Sequence, residues 1–274
     1  MQEKTSGKKI GLALGSGTAR GLAHIGVLEV LLGMGIHIDM ISGTSMGSMV
    51  AGVYAKGESI EAMKEMARDL GSKRLSFLTE PTLPRTGLIS GVKMNNALKS
   101  VFGDMKFEDL KIPFACSATD IESGREVVID RGLVREGVRA SCTVPVILAP
   151  IKIEGRYLVD GALVNPVPAD LLKKMGADIV IAVNVAPLEY DNSKASDIKK
   201  DKRKNPNILS IAFQTVNIIA SQRVLACLEH ADIIISPQVN HIGRGDFHRS
   251  DELIHQGELA ALACQQQLKS LITL

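Results

Sequence analysis

Aromatic residues are scarce. They make up 3% of the 274 positions, and tryptophan is absent. That argues against a protein that stacks bases on aromatic platforms. A charge excess is missing as well. The chain carries 32 Lys and Arg against 30 Asp and Glu, a formal net charge of +2. No basic field covers the surface, and no nucleic-acid partner is expected. Cysteine is sparse, and Cys116, Cys142, Cys227 and Cys264 form no C-x-x-C pair. No metal knuckle is implied, no metal or cofactor is expected, and a reduced cytoplasmic compartment is the plain reading. The first residues, MQEKTSGKKIGLALG, hold no apolar stretch long enough for a signal peptide. The most apolar long segment, ILSIAFQTVNIIASQRVLACLEHADIIIS, is interrupted by Gln214, Asn217, Gln222 and Arg223. It is not expected to span a bilayer.

What remains is an ordinary globular composition, 45% hydrophobic and 23% charged. KKIGLALG reads as a buried strand and ARGLAHIGVLEVLLGMG as a helix. IHIDMIS reads as a second strand and SMGSMVAGVYAKG as a small-residue helix closed by Gly57. Strand, helix, strand, helix argues for a parallel sheet with crossover helices. Further along come a helix at GVKMNNALKSVFG, strands at PFACSATD and REVVID, and a helix at LVREGVRASC. A hairpin turns at Glu154-Gly155, a short helix covers PADLLKKMG, and ADIVIAVNV is a buried strand. Asn205-Pro206 opens a long helix whose apolar face, with Ile208, Ile211, Val216 and Ile219, reads as core. ADIIISP is a late strand, and SDELIHQGELAALACQQQLKSLI a closing helix. No repeat or linker divides the chain. One α/β domain over residues 5–274 is expected, with a mainly parallel sheet flanked by helices in three layers.

The stretch GTSMG places Ser45 between Gly43 and Gly47, directly after an apolar strand and before a helical pattern. A serine on such a turn sits in a strained conformation, with its hydroxyl at a helix N-terminus. The pattern fits a nucleophile, and it also fits a structural tight turn. A nucleophile needs a base and an oxyanion hole. The loop GSGTARG, from Gly15 to Gly21, offers backbone N–H groups between the first strand and first helix. Dinucleotide binding is the rival reading of that loop. It fails where Arg20 replaces the third glycine, and the Lys-Ser/Thr pair of a P-loop is absent. The base has two sources. His230, His241, His248 and His255 lie late enough for a Ser-His-Asp triad. Asp160, in GRYLVDGALVNPVP, sits in a turn that can project into a crevice.

Taken together, these pieces resemble the patatin-like phospholipases, in particular short bacterial members. The likeness rests on LALGSGTARGLAHIGVLEVL, ISGTSMGSMVAG, SATDIESG, VRASCTVPVILAPIKIEGRYLVDGALVNPVP and ADIVIAV, in that order. It implies a Ser-Asp dyad without a catalytic histidine, Ser45 being the nucleophile and Asp160 the base. It implies Gly17 and Thr18 as backbone oxyanion donors, with Arg20 ordering the loop or meeting a phosphate. Ser16 and Thr18 stand where the family pattern has glycine, and Ala162 where many members have a second glycine after Asp160.

The resemblance implies hydrolysis of lipid acyl esters, of phospholipids or lysophospholipids, through an acyl-enzyme. A low-turnover regulatory or partner-binding member of the fold, or a general carboxylesterase, stands as the alternative. Residues 71–91 are expected to form a loop or flap over the acyl site. Residues 191–204 are expected to be a flexible basic loop, with Lys194, Lys199, Lys200, Lys202, Arg203 and Lys204. That loop is either simply solvated or a peripheral contact to the inner face of the membrane.

Overall fold

The computed structural model describes residues 7–72, 88–186 and 208–273. The basic loop, most of the expected flap and the Asn205-Pro206 helix start lie outside the described residues.

Apolar strands with few polar interruptions favour burial on both faces, and this chain uses them that way. The central strands are β1 (Ile10–Leu14), β2 (Met40–Thr44) and β7 (Ile179–Val183), and all three are fully buried. β1 pairs in parallel with β2 on one side and β7 on the other. β8 (Ile233–Ile235) extends the sheet beyond β7, and β3 (Phe114–Asp120) extends it beyond β2, both in parallel. Two strands run the other way: β4 (Glu126–Ile129) and β6 (Arg156–Asp160) both pair antiparallel with β3. β5 (Ile151–Ile153) closes that edge as a hairpin with β6, turning at Glu154 and Gly155, both at positive φ. The order is β5-β6-β3-β2-β1-β7-β8, with β4 on β3.

Side chains alternate along each strand, so the two faces build separate cores. Ile10, Leu12, Leu14, Ile181 and Val183 enter one; Ala13, Val180 and Ala182 enter the other. The larger core takes in α1 (Ala23–Gly33), α2 (Met46–Lys56), α3 (Ile60–Ser72) and α5 (Val134–Ser141). It also receives α4 (Val92–Phe102) and α8 (Ser250–Ala263), while α9 (Gln265–Thr273) follows at the end. The smaller core lies under α6 (Ala169–Lys174) and the far end of α7 (Ile208–Leu228). Helices on both faces of a mixed, mostly parallel sheet give the expected three layers.

Four local readings are revised. β2 begins at Met40 rather than Ile36, because Gly35 turns the chain at φ +77 and pairing with β1 starts only at Met40. Ile36 and Ile38 are buried on the approach, so their apolarity reports burial without pairing. Residues 60–72 form α3, with Ile60, Met63, Ala67 and Gly71 on its buried face, so Gly71 and Ser72, expected to open the flap, are instead the helix's last two residues. The closing helix breaks at Cys264 into α8 and α9. The fourth revision concerns α7. Its buried line is Ala212, Val216, Ala220, Val224 and Leu228, each four residues on from the last, which turns the large side chains outward. Ile208, Ile211 and Ile219 are 56%, 51% and 37% exposed, so of the four residues read as core only Val216 is buried. The window Ile211–Leu228 is long and apolar enough to cross a membrane by length and composition, and 22% of it is buried in the fold.

Candidate active site

Ser45 follows β2 directly and caps α2 with φ 54 and ψ −124, a region that residues with a Cβ seldom occupy. Its neighbours explain how the turn closes. A Cβ on Gly43 would stand 2.5 Å from the Gly47 carbonyl oxygen, and one on Gly47 would stand 2.1 Å from the Leu14 carbonyl oxygen. Both spacings are below any van der Waals contact, so only glycine fits at either position. The strained turn is held from three sides. The Ser45 N–H donates to Ser141 Oγ at 2.9 Å, and the Ser45 carbonyl accepts from Ser48 N–H and Ser48 Oγ. Ser141 in turn donates to the Ser117 carbonyl on β3 at 2.7 Å.

Asp160 arrives from the opposite direction, at the end of antiparallel β6. Its backbone is clamped: the N–H donates to the Thr143 carbonyl at 2.7 Å, and the carbonyl accepts from Thr119 Oγ1 at 2.8 Å. Arg139 fixes Thr143 in its turn, donating to Thr143 Oγ1, Asn95 Oδ1 and the Ala149 carbonyl. The carboxylate is 1% exposed. Oδ1 accepts from the Ala162 N–H at 2.8 Å, and Oδ2 accepts from Ser45 Oγ at 2.7 Å. Burial pushes its pKa up to about 6, against the smaller lowering pull of the Ala162 N–H and the Ser45 hydroxyl.

None of the four late histidines lines the cavity that holds Ser45. His241 pairs with Glu252, His255 with Glu258, and His230 and His248 are exposed. The histidine that does stand close to the site is His24. It is fully buried on α1, with Nε2 2.7 Å from the Gly15 carbonyl oxygen. Because that oxygen can only accept, Nε2 carries the proton. Burial lowers the His24 pKa to about 4.

The loop between β1 and α1 begins at Gly15, next to the Val183 carbonyl of β7. Along it the N–H groups of Gly15, Ser16, Ala19 and Arg20 donate to the carbonyls of Val183, Pro166, Arg244 and Gly17. Those of Gly17 and Thr18 make no hydrogen bond among the described residues. Both residues line the same cavity as Ser45 and Asp160. Thr18 adopts φ +51 despite its Cβ. Arg20 is 5% exposed and does not line the cavity; it donates to the Ile242 and Asn240 carbonyls at 2.8 and 2.9 Å. It therefore fastens the loop to the turn before α8.

The cavity holds about 270 Å³. Its walls are overwhelmingly apolar, with Met46, Met49, Met63, Met66 and Met94 beside Leu98, Ile147 and Phe247. Methionine suits a wall that adapts to a flexible apolar guest. Sequence reasoning missed Ser141, His24 and the two polar wall residues Asn217 and Arg244. The only cue was that Ser141 and His24 lie inside runs already singled out, RASCTVP and ARGLAHIGVL.

A family model described as patatin-like phospholipase matches residues 12–173, more than half of the chain and the whole stretch that carries Ser45 and Asp160. The chain belongs to the patatin-like phospholipase family. An uncharacterised NTE-family protein of Mycobacterium bovis is 36% identical over 181 residues, covering 66% of this chain and 50% of its own length. The lysophospholipase NTE1 of Scheffersomyces stipitis is 30% identical over 271 residues, covering 92% of this chain and 18% of that protein. That of Aspergillus fumigatus is 34% identical over 293 residues, covering 98% and 19%. This chain thus spans half or less of the length of these relatives. Among solved structures, VipD from Legionella pneumophila superposes with a TM-score of 0.54 at 12% identity, covering 97% of this chain and 68% of its own. Human GIVD cytosolic phospholipase A2 superposes at 0.51 and 13% identity, covering 97% and 60%. At such identities the likeness is one of fold, and it agrees with a patatin-like α/β architecture.

Proposed function

We propose that this chain is a serine lipid acyl hydrolase that cleaves an ester of a phospholipid or lysophospholipid through Ser45 and Asp160. One observation carries the reading: Ser45 Oγ donates to Asp160 Oδ2 at 2.7 Å inside an apolar cavity. The Ser45 oxygen attacks the ester carbonyl as its proton passes to Oδ2. The carbonyl oxygen becomes an oxyanion, met by the Gly17 and Thr18 N–H groups, which have no other partner among the described residues. Collapse expels the alcohol, which takes the proton back from Asp160 and leaves an acyl-serine. Water then gives its proton to Asp160, attacks the acyl carbon and releases the fatty acid, and Ser45 recovers the proton. A carboxylate is a poor base at its ordinary pKa, and burial of Asp160 brings it closer to the working range.

The apolar walls support an acyl chain as the bound group, and the lysophospholipase relatives support a phospholipid origin for it. Against a purely regulatory member of the fold stands the preserved serine–aspartate contact. Against a Ser-His-Asp esterase stands the absence of any late histidine from the cavity wall.

The test is hydrolysis of p-nitrophenyl butyrate and of a fluorogenic lysophospholipid by the wild type, Ser45→Ala and Asp160→Asn. Both variants are expected to lose at least about 10³-fold in kcat while staying folded. A fluorophosphonate should label the wild type at Ser45. Full turnover by Ser45→Ala would rule the mechanism out.

A further inference from the structure

We propose that Asn165 is a positioning residue. It locks the stretch Asn165–Pro168, whose backbone carbonyls hold the strand of Ser45 and the loop of Gly17 and Thr18 in place relative to Asp160. The proposal rests on the reading of Ser45 and Asp160 as the reacting pair and adds what fixes the distance between them.

The support is made of backbone. The Asn165 carbonyl accepts from Thr44 Oγ1 at 2.7 Å, and Thr44 is the residue before Ser45. The Pro166 carbonyl accepts from the Ser16 N–H at 2.8 Å, one residue before Gly17. The Pro168 carbonyl accepts from Ser42 Oγ at 2.8 Å. Ser42 and Thr44 stand two apart on β2, so they face the same side. Toward Asp160, the Asn165 N–H donates to the Gly161 carbonyl at 2.8 Å. That bond closes the turn whose Ala162 N–H binds the Asp160 carboxylate. One short stretch thus touches the nucleophile's strand, the loop after β1 and the turn after the base. Pro166 and Pro168 stiffen it by fixing two φ angles.

The Asn165 side chain fastens this stretch to three elements. Its Nδ2 donates to Glu126 Oε1 on β4 at 2.8 Å and to Asp170 Oδ1 on α6 at 2.7 Å. Its Oδ1 accepts from Cys227 Sγ on α7 at 3.4 Å. Both amide hydrogens and the amide oxygen are therefore engaged. Glu126 Oε1 also accepts from Ser117 Oγ at 2.8 Å, and the Ser117 carbonyl accepts from Ser141, which holds the Ser45 N–H. Asn165 is 5% exposed and does not line the cavity, so it acts through its neighbours. A buried asparagine in a turn often only closes that turn. Here each bond reaches a different element, and three of those elements meet at the site.

Three measurements test this. Asn165→Leu strands neither carboxylate, since Glu126 keeps Ser117 and Asp170 keeps Lys174. Its kcat on p-nitrophenyl butyrate should fall about 10–100-fold at a KM little changed, while a fluorophosphonate on long incubation still labels one serine per chain. A loss confined to KM, or one matched by the share of chains that no longer label, overturns the proposal. Thr44→Val removes only a hydroxyl and should show the same split with a loss of about 3–10-fold; it carries the test if Asn165→Leu does not fold. The double variant should lose less than the product of the single losses, because both act through one contact. A loss equal to the product overturns the proposal. Finally, in ¹⁵N-labelled protein the Ser16 and Ser45 amide signals should shift in Asn165→Leu while those of β8 stay in place. Unmoved Ser16 and Ser45 signals overturn the proposal. If they shift although Ser45→Ala still cleaves esters at full rate, the support stands and the nucleophile reading falls, so the two fail separately.

Discussion

At the scale of single residues, the site places a carboxylate almost wholly out of bulk solvent. With the Asp160 pKa raised from 3.8 to about 6, kcat/KM should climb through about pH 6 and level off above it. A profile flat from pH 5 to 8 would remove Asp160 as the base. The same burial has a stability consequence. Between pH 4 and 6 the folded chain keeps a proton that the unfolded chain has released, so this group's contribution to stability falls as pH rises through that window. About two pKa units correspond to about 3 kcal/mol. Asp160→Asn should therefore be more stable than the wild type at pH 7, with the gain fading toward pH 4; urea melts of both at the two pH values measure it. His24 tilts the other way. Its pKa is lowered to about 4, so its neutral buried form is favoured above about pH 6.5, and that contribution is lost as pH falls toward 4. The wild-type-minus-variant difference cancels this slope, because His24 is present in both chains. Ser141→Ala should leave the Ser45 N–H buried without a partner, at about 1–3 kcal/mol. We expect kcat to drop about 10–100-fold at a KM little changed, with Ser141→Thr recovering part; a fall confined to KM would contradict the positioning role. Much of this was legible in the sequence. GTSMG and the aspartate of YLVDGALV marked themselves by turn chemistry and family likeness. Ser141 and His24 did not, because a buried serine or histidine in a helix looks the same whether it holds a loop or only fills space.

At the scale of elements, periodicity served well where an element is buried on a regular pattern and poorly where neighbours decide. β1, β7 and α2 read directly. β2 was drawn too long because Ile36 and Ile38 are buried without being paired. α7 was turned inside out, because its core line is made of small residues while its large aliphatics face outward. The crossing of α1 and α8 was illegible, since it depends on two glycines 231 residues apart. A Cβ on Gly257 would lie 1.9 Å from the Ala23 carbonyl oxygen, and one on Gly26 would lie 1.9 Å from that of Ile254. Both contacts are with backbone, so no rotamer relieves them. Gly257→Ala gains about 1 kcal/mol in helix propensity and overpacks at about 1–3 kcal/mol or more. A net loss is expected, read as a lower urea midpoint. A midpoint equal to wild type would mean that the helices separate without cost.

At the scale of the whole molecule, the outward row of α7 shares a helix with Phe213, Val216 and Asn217 of the cavity wall. Ile208, Ile211, Ile218 and Leu225 recur at helical spacing and are 56%, 51%, 40% and 60% exposed. We expect this face to bind a lipid surface. Ile211→Glu with Leu225→Glu should cut pelleting with phosphatidylcholine vesicles several-fold while p-nitrophenyl butyrate hydrolysis reports an intact fold. Undiminished pelleting would assign the face to another occupant. The antiparallel entry of β6 has a last consequence, for the order in which the site is assembled as the chain is made. Ser45 leaves the ribosome 115 residues before its carboxylate partner. The strand beside it, β1, still lacks its other neighbour until β7 has emerged. The loop that follows β1 leans on the Arg244 carbonyl, later still. A nascent chain therefore carries Ser45 without its carboxylate and beside an unsupported loop, and the two come together only after residue 244 has emerged.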